Sequence, residues 1–204
     1  MILLKCNTQH IFWLGRYLTR IRYLCTQLPF YNNQQALAYA HAFCLPAFDA
    51  SSLNVLLLDT EQPSSFNHQF EYAKESIQAL RGVLSETAYS ELNQQIRNAH
   101  HNNAYICEAV AECHEVLEAE SEYIFIFFIL GENIEQLDRQ IRLKQDYATT
   151  LMNLDKVISL LSEMGWSSLN CPWQKLKLTP DSMNFYHFSD HIENLFQVDS
   201  LIRD

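Results

Sequence analysis

Glycine and proline are scarce in this chain, with 4 and 5 in 204 residues. So few turn makers exclude an architecture of many short strands and favour long helices with few connections. Positive charge is also in short supply. Against 24 acidic side chains there are 14 lysines and arginines, a formal net charge of −10, which excludes a duplex-binding face because phosphate contacts need clustered cations. No nucleic-acid partner is expected. The six cysteines (Cys6, Cys25, Cys44, Cys107, Cys113, Cys171) contain no CxxC spacing, so a zinc site of that type is excluded and free buried thiols in a reducing compartment are expected. The strongest apolar run, YIFIFFIL at 123–130, falls far short of the ~20 residues that span a bilayer. The opening MILLKCNTQH has too short an apolar run for a secretory signal. A cytoplasmic chain with no membrane partner is the expectation. There is no GxSxG and no glycine-rich phosphate loop, so neither a nucleophile elbow nor an ATP site is indicated, and no cofactor is implied.

What is present is a composition with 48% hydrophobic and 19% charged residues, which can fold around one sizeable core. A single domain over residues 1–204 is expected. Ile11, Leu14, Leu18, Ile21, Cys25 and Leu28 recur at spacings of 3 and 4, predicting a first helix from a cap at Asn7 or Thr8 to about Leu28, before Pro29. Further helices are predicted over Gln34–Phe43, over LNVLLLD at 53–59, from Pro63-Ser64-Ser65 to a glycine cap at Gly82, and from Ser85-Glu86 to about Asn98. HHNN at 100–103 reads as a bend. A long helical region follows from about Ala104 past Ile141, then one from about Ala148 to Gly165. Residues 166–181 read as the loosest part of the chain, and a last helix fits Ser182 to about Leu201. The fold class is all-α, a single bundle of long antiparallel helices.

Gly15 is awkward in the first helix, because a mid-helix glycine costs about 1 kcal/mol relative to alanine. FWLGRYLTRIR at 12–22 superposes on FILGENIEQLD at 128–138, matching Leu14 with Leu130, Gly15 with Gly131, Leu18 with Ile134 and Ile21 with Leu137, 116 residues on. Two glycines at one helical phase imply a weak internal two-fold repeat whose equivalent helices approach closely where a side chain would hold them apart.

These residues resemble the alpha-E domain family, bacterial all-helical proteins with a repeated Glu-Arg pair. The opening helix of that family, aromatic-W-L-G-R-Y-L-E-R, is matched by Phe12, Trp13, Leu14, Gly15, Arg16, Tyr17, Leu18, Thr19 and Arg20. A middle block, LLLD then N-P-S-S then A-R-E-N-A-R and S-E, is matched by LLLDTEQPSSF at 56–66 and AKESIQALRGVLSE at 73–86, which hold Asp59, Pro63, Glu75, Arg81 and Glu86. The second L-G-R-Y-L-E-R-A-D is matched by LGENIEQLD, with Gly131, Glu135 and Asp138. The pair itself is degenerate. Thr19 stands before Arg20, and Gln136 follows Glu135. The chain stops where a second A-R-E-N block is expected, so it reads as a shortened, diverged member. The resemblance implies protein partners, an ATP-grasp ligase and a transglutaminase-like protein, and a role in peptide or amide-bond modification. Dimerisation that covers exposed core is also expected of a shortened repeat.

The leading expectation is a non-catalytic helical partner or scaffold. One alternative is an enzyme in which Arg20 holds an anionic substrate and Glu135 moves protons, the two meeting as a semi-buried ion pair. Against that stands a surface pair between Glu135 and Arg139. A second alternative is a metal-binding helical bundle using His187 and His191, an i, i+4 pair with Asp190 and Glu193 near but no clear third ligand. The acidic stretch at 108–122 lacks the Glu-x-x-His spacing of a di-iron bundle and reads as a solvated face.

Overall fold

The computed structural model describes residues 5–99 and 103–197. The chain is all-α. Among the described residues it forms α1 (Lys5–Gln27), α2 (Asn33–Ala42), α3 (Ala50–Leu58), α4 (Phe66–Ala79), α5 (Glu86–Ala99), α6 (Asn103–Glu118), α7 (Glu122–Leu143), α8 (Ala148–Glu163), α9 (Asn170–Leu178) and α10 (Ser182–Gln197), with a 3-10 turn at Ser167–Leu169. None of the described helices is long and apolar enough to cross a membrane. The residues group into two compact units. One takes the chain up to Arg16 and from Ser121 onward; the other takes Tyr17–Glu120.

Local chemistry starts the helices where polar side chains can satisfy the first free N–H groups. The Asn32 side chain accepts from the amides of Gln34 and Gln35, Asp49 and Ser52 form a reciprocal capping box, and Ser65 accepts from the amide of His68. Ser85 Oγ accepts from the amide of Ala88, 3.1 Å away, so the predicted restart at Ser85-Glu86 is present.

Four predicted boundaries are corrected. Helix α1 is already formed at Lys5, so Asn7 and Thr8 lie within it and do not cap it. Helix α4 closes at Leu80 through backbone bonds to Ser76 and Ile77, ahead of Gly82, which is not among the residues with positive φ. The long region from Ala104 is two helices. Helix α6 ends at Glu118, and just past it Glu120 accepts from both the amide and the hydroxyl of Ser85, 35 residues away; α7 in turn stops at Lys144, which takes the left-handed conformation with φ 54°. Residues 166–181 are largely helical, because Pro172 sits in the first turn of α9, where its missing N–H would have had no intrahelical partner. The expected bend at HHNN falls mostly on residues 100–102, and the expected end of the last helix near Leu201 also lies outside the described residues.

In the unit containing Ser121 onward, the core is aromatic. Phe12 packs 5.5 Å from Phe196, Phe127 lies 5.0 Å from Trp166, and Trp166 lies 6.0 Å from Phe196. The fully buried Trp173 donates its indole N–H to Asp155 at 2.9 Å, satisfying the one polar atom that its burial would strand.

In the Tyr17–Glu120 unit, Leu24, Leu53, Leu57, Ile77 and Leu92 are buried. Here the expectation of six free thiols is corrected. Packing brings the Cα atoms of Cys25 and Cys107 to 5.8 Å, and the two form a disulfide across 82 residues, a pairing that no local spacing could announce. Cys6, Cys44, Cys113 and Cys171 are free. Burial pushes the Cys113 thiol up to about 12, which makes it inert at neutral pH. Thiol titration of the denatured chain should accordingly find four reactive groups without reductant, the four that are free in the fold. Reduction should release the remaining pair and lower the stability of the native protein by roughly 2–5 kcal/mol. Native-state alkylation should label Cys6, Cys44 and Cys171 and spare Cys113.

Candidate functional site

Helices α1 and α7 meet backbone to backbone at the two matched glycines. A Cβ on Gly15 would lie 2.2 Å from the carbonyl oxygen of Phe128 and 3.1 Å from the amide nitrogen of Glu132. A Cβ on Gly131 would lie 2.0 Å from the carbonyl oxygen of Phe12 and 3.2 Å from the amide nitrogen of Arg16. Under the 116-residue offset these two sets of contacts are equivalent, since Phe12 maps to Phe128 and Arg16 to Glu132. In each case the glycine Cα–H is directed at a carbonyl, the geometry in which weak C–H···O contacts form between close helices. This is the reason for the awkward glycine.

Charges are buried beside this crossing. Helix α7 is enclosed on most of its circumference, yet Glu132, Asn133, Glu135 and Asp138 are among its buried residues, an unusual load for an interior helix. Asn133 spends its amide on the carbonyl of Ile129 at 2.8 Å. Glu135, 3% exposed, accepts from Arg16 Nε at 3.1 Å, and Arg16 is itself 7% exposed. The other side of the guanidinium is covered by Trp13, whose ring centroid lies 4.6 Å from Cζ, and Nη1 stands 3.8 Å from Glu193 on α10. Farther along α7, Asp138 accepts from Arg142 Nε at 2.7 Å, and Arg142 also donates to the Tyr186 hydroxyl. Burial holds the Asp138 carboxyl above its ordinary 3.8, even though the Arg142 hydrogen bond works in the opposite direction.

Of the residues singled out from the sequence, Trp13, Gly15, Arg16, Gly131, Glu135 and Asp138 gather here. The motif glutamate of the second segment is thus held by the arginine that follows the glycine of the first. Sequence reasoning missed Arg16 as the partner of Glu135, and Glu193 as its second carboxylate; the aromatic flank of Arg16 was the available signal. Tyr17, Arg20, Asp59, Pro63, Glu75, Arg81 and Glu86 belong to the other unit. There Arg20 donates Nη1 to Gln69 at 2.9 Å, and Gln69 donates to the carbonyl of Pro63 at 2.8 Å, so the unpredicted Gln69 joins two motif positions. Tyr17 packs 5.4 Å from Tyr72. Asp59 accepts from the amide of Glu61, while Glu75 and Glu86 are exposed.

Neither histidine candidate is drawn into a ligand set. A ring nitrogen of His191 lies 3.1 Å from the carbonyl of Ser168, His187 is exposed, and no group of three or more metal-ligating side chains forms among the described residues. Of the acidic stretch, Glu108 and Glu112 line a cavity of about 410 Å3 with Gln95 and Tyr105.

The Alpha-E family model, described as a predicted alpha-helical domain with a conserved ER motif, matches residues 7–171. No curated protein and no solved structure matches the chain.

An alanine at position 131 should destabilise the fold by about 1–3 kcal/mol or more, because the obstacle is a backbone carbonyl that cannot swing aside. Gly82→Ala, with nothing within 4 Å of its Cβ, should change urea-unfolding stability by no more than about 0.5 kcal/mol. Breaking the buried pair with Arg16→Met or Glu135→Leu should cost about 3–5 kcal/mol each, and the double variant should lose clearly less than the sum, as read from a double-mutant cycle.

Proposed function

Because the chain belongs to the Alpha-E family, we propose that it is a non-catalytic helical partner or scaffold protein, binding other proteins of a peptide or amide-bond modification system. An ATP-grasp ligase is the first partner, and a transglutaminase-like protein the second. The observation that supports this reading is an apolar stripe left uncovered around α3. Val55 and Leu58, three residues apart on α3, are 68% and 42% exposed, with Phe48 77% exposed just ahead of that helix and Tyr31 89% exposed just before α2. The amides of Phe48 and Asp49 are tied to Ser52 Oγ, each at 3.1 Å, so the backbone that presents Phe48 is held.

Large apolar side chains left exposed in this way are what a protein partner buries. The charges that an enzyme would need at the glycine crossing are, by contrast, engaged in internal pairs. On this reading self-association through the same stripe gives a homodimer as the second form.

Co-expression with an ATP-grasp ligase from the same organism should give a complex that co-elutes in size-exclusion chromatography. Phe48→Asp with Val55→Asp should abolish that complex and leave the helical circular dichroism unchanged. A chain that elutes only as a monomer, with no association with the ligase, overturns the reading.

A further inference from the structure

Helices α4 and α5 border an open groove of about 580 Å3 in the Tyr17–Glu120 unit, lined in part by Lys74, Arg81 and Arg97. Three of the 14 basic side chains of a chain with net charge −10 therefore face one opening, and none of the residues lining it is acidic. The helical phase explains the convergence. Lys74, Gln78 and Arg81 follow at intervals of 4 and 3 along and just beyond α4, and Tyr89, Asn93 and Arg97 follow at intervals of 4 along α5.

The polar floor is built. Tyr89 donates its hydroxyl to Gln78 Oε1 at 3.2 Å, Gln78 donates to Asn93 Oδ1 at 2.6 Å, and the buried Asn93 donates to the carbonyl of Tyr89 at 2.6 Å. This closed relay uses the amides and leaves the cations for something else. Arg97 is steered by its Nε–H, which donates to the carbonyl of Asn93 at 3.2 Å. No ion pair or side-chain hydrogen bond engages Arg81 among the described residues. Lys74 is shared with Glu71 at 2.9 Å, a half-buried i, i+3 pair, the kind that contributes about 1 kcal/mol or less.

Two guanidinium forks and an ammonium around one opening, without a lining carboxylate, match the oxygen array of a multiply charged anion. The volume falls within the range of small-molecule sites. We infer that the α4–α5 groove binds a small, multiply charged oxyanion, carrying phosphoryl groups or several carboxylates, through Arg81, Arg97 and Lys74. The inference stands apart from the scaffold reading, since it uses none of the α3 stripe.

Isothermal titration calorimetry at low salt, with pyrophosphate and, in a separate arm, citrate, tests it on the full chain. The expected result is one saturable site for at least one of the two, the preferred probe telling phosphoryl from carboxylate chemistry. Arg81→Gln combined with Arg97→Gln should weaken that binding by roughly tenfold or more, and Lys175→Gln, an exposed lysine on α9, should leave it unchanged. Both arginines are exposed, so the double variant should keep its helical circular dichroism and unfolding midpoint. Absence of saturable binding by either probe, or equal weakening by Lys175→Gln, overturns the inference.

Discussion

The contact between α1 and α7 at Gly15 and Gly131 is the constraint on which the surrounding structure depends. With the positions that Cβ atoms would occupy only 2.2 and 2.0 Å from backbone carbonyls, the two helices are closer than any other residue would allow. Each glycine weakens its own helix, and the close packing of the surrounding side chains offsets that loss. Phe12 and Phe128, whose carbonyls form the contact, are themselves fully buried. The same few residues therefore set both the crossing and the core next to it.

So tight a crossing also determines the fate of the charges beside it. Water is excluded around Arg16 and Glu135, which are 7% and 3% exposed, and a charge in such a place must be paired or it destabilises the fold. Arg16 meets that demand three ways, through Glu135, the nearby Glu193 carboxylate and the Trp13 ring. An arrangement of this kind fixes which faces of two helices meet, because any other rotation would strand an ion in the core.

The polar chemistry of the Tyr17–Glu120 unit is of a different kind. At the α4–α5 groove the neutral amides satisfy one another and the cations are left at the opening. Arg20 is instead tied to Gln69. A family motif read as one constellation thus divides into positions that hold helices together and positions that face solvent, and Arg81 is of the second kind.

The sequence by itself determined the helical class, most helix starts, the membership of the family and the close approach of Gly15 and Gly131. All of these rest on period and on residue type: a 3.6-residue repeat, a serine or aspartate at a cap and a missing side chain act over one or two turns and need no knowledge of what lies across the core. Only the tertiary structure decided that Arg16 meets Glu135, that Cys25 reaches Cys107, that Ser85 meets Glu120, and that three cations share one groove. Those outcomes depend on which helices become neighbours and at what rotation. Such information is absent from any short window of sequence, because the partners on different helices stand from 16 to 119 residues apart along the chain and are selected by packing.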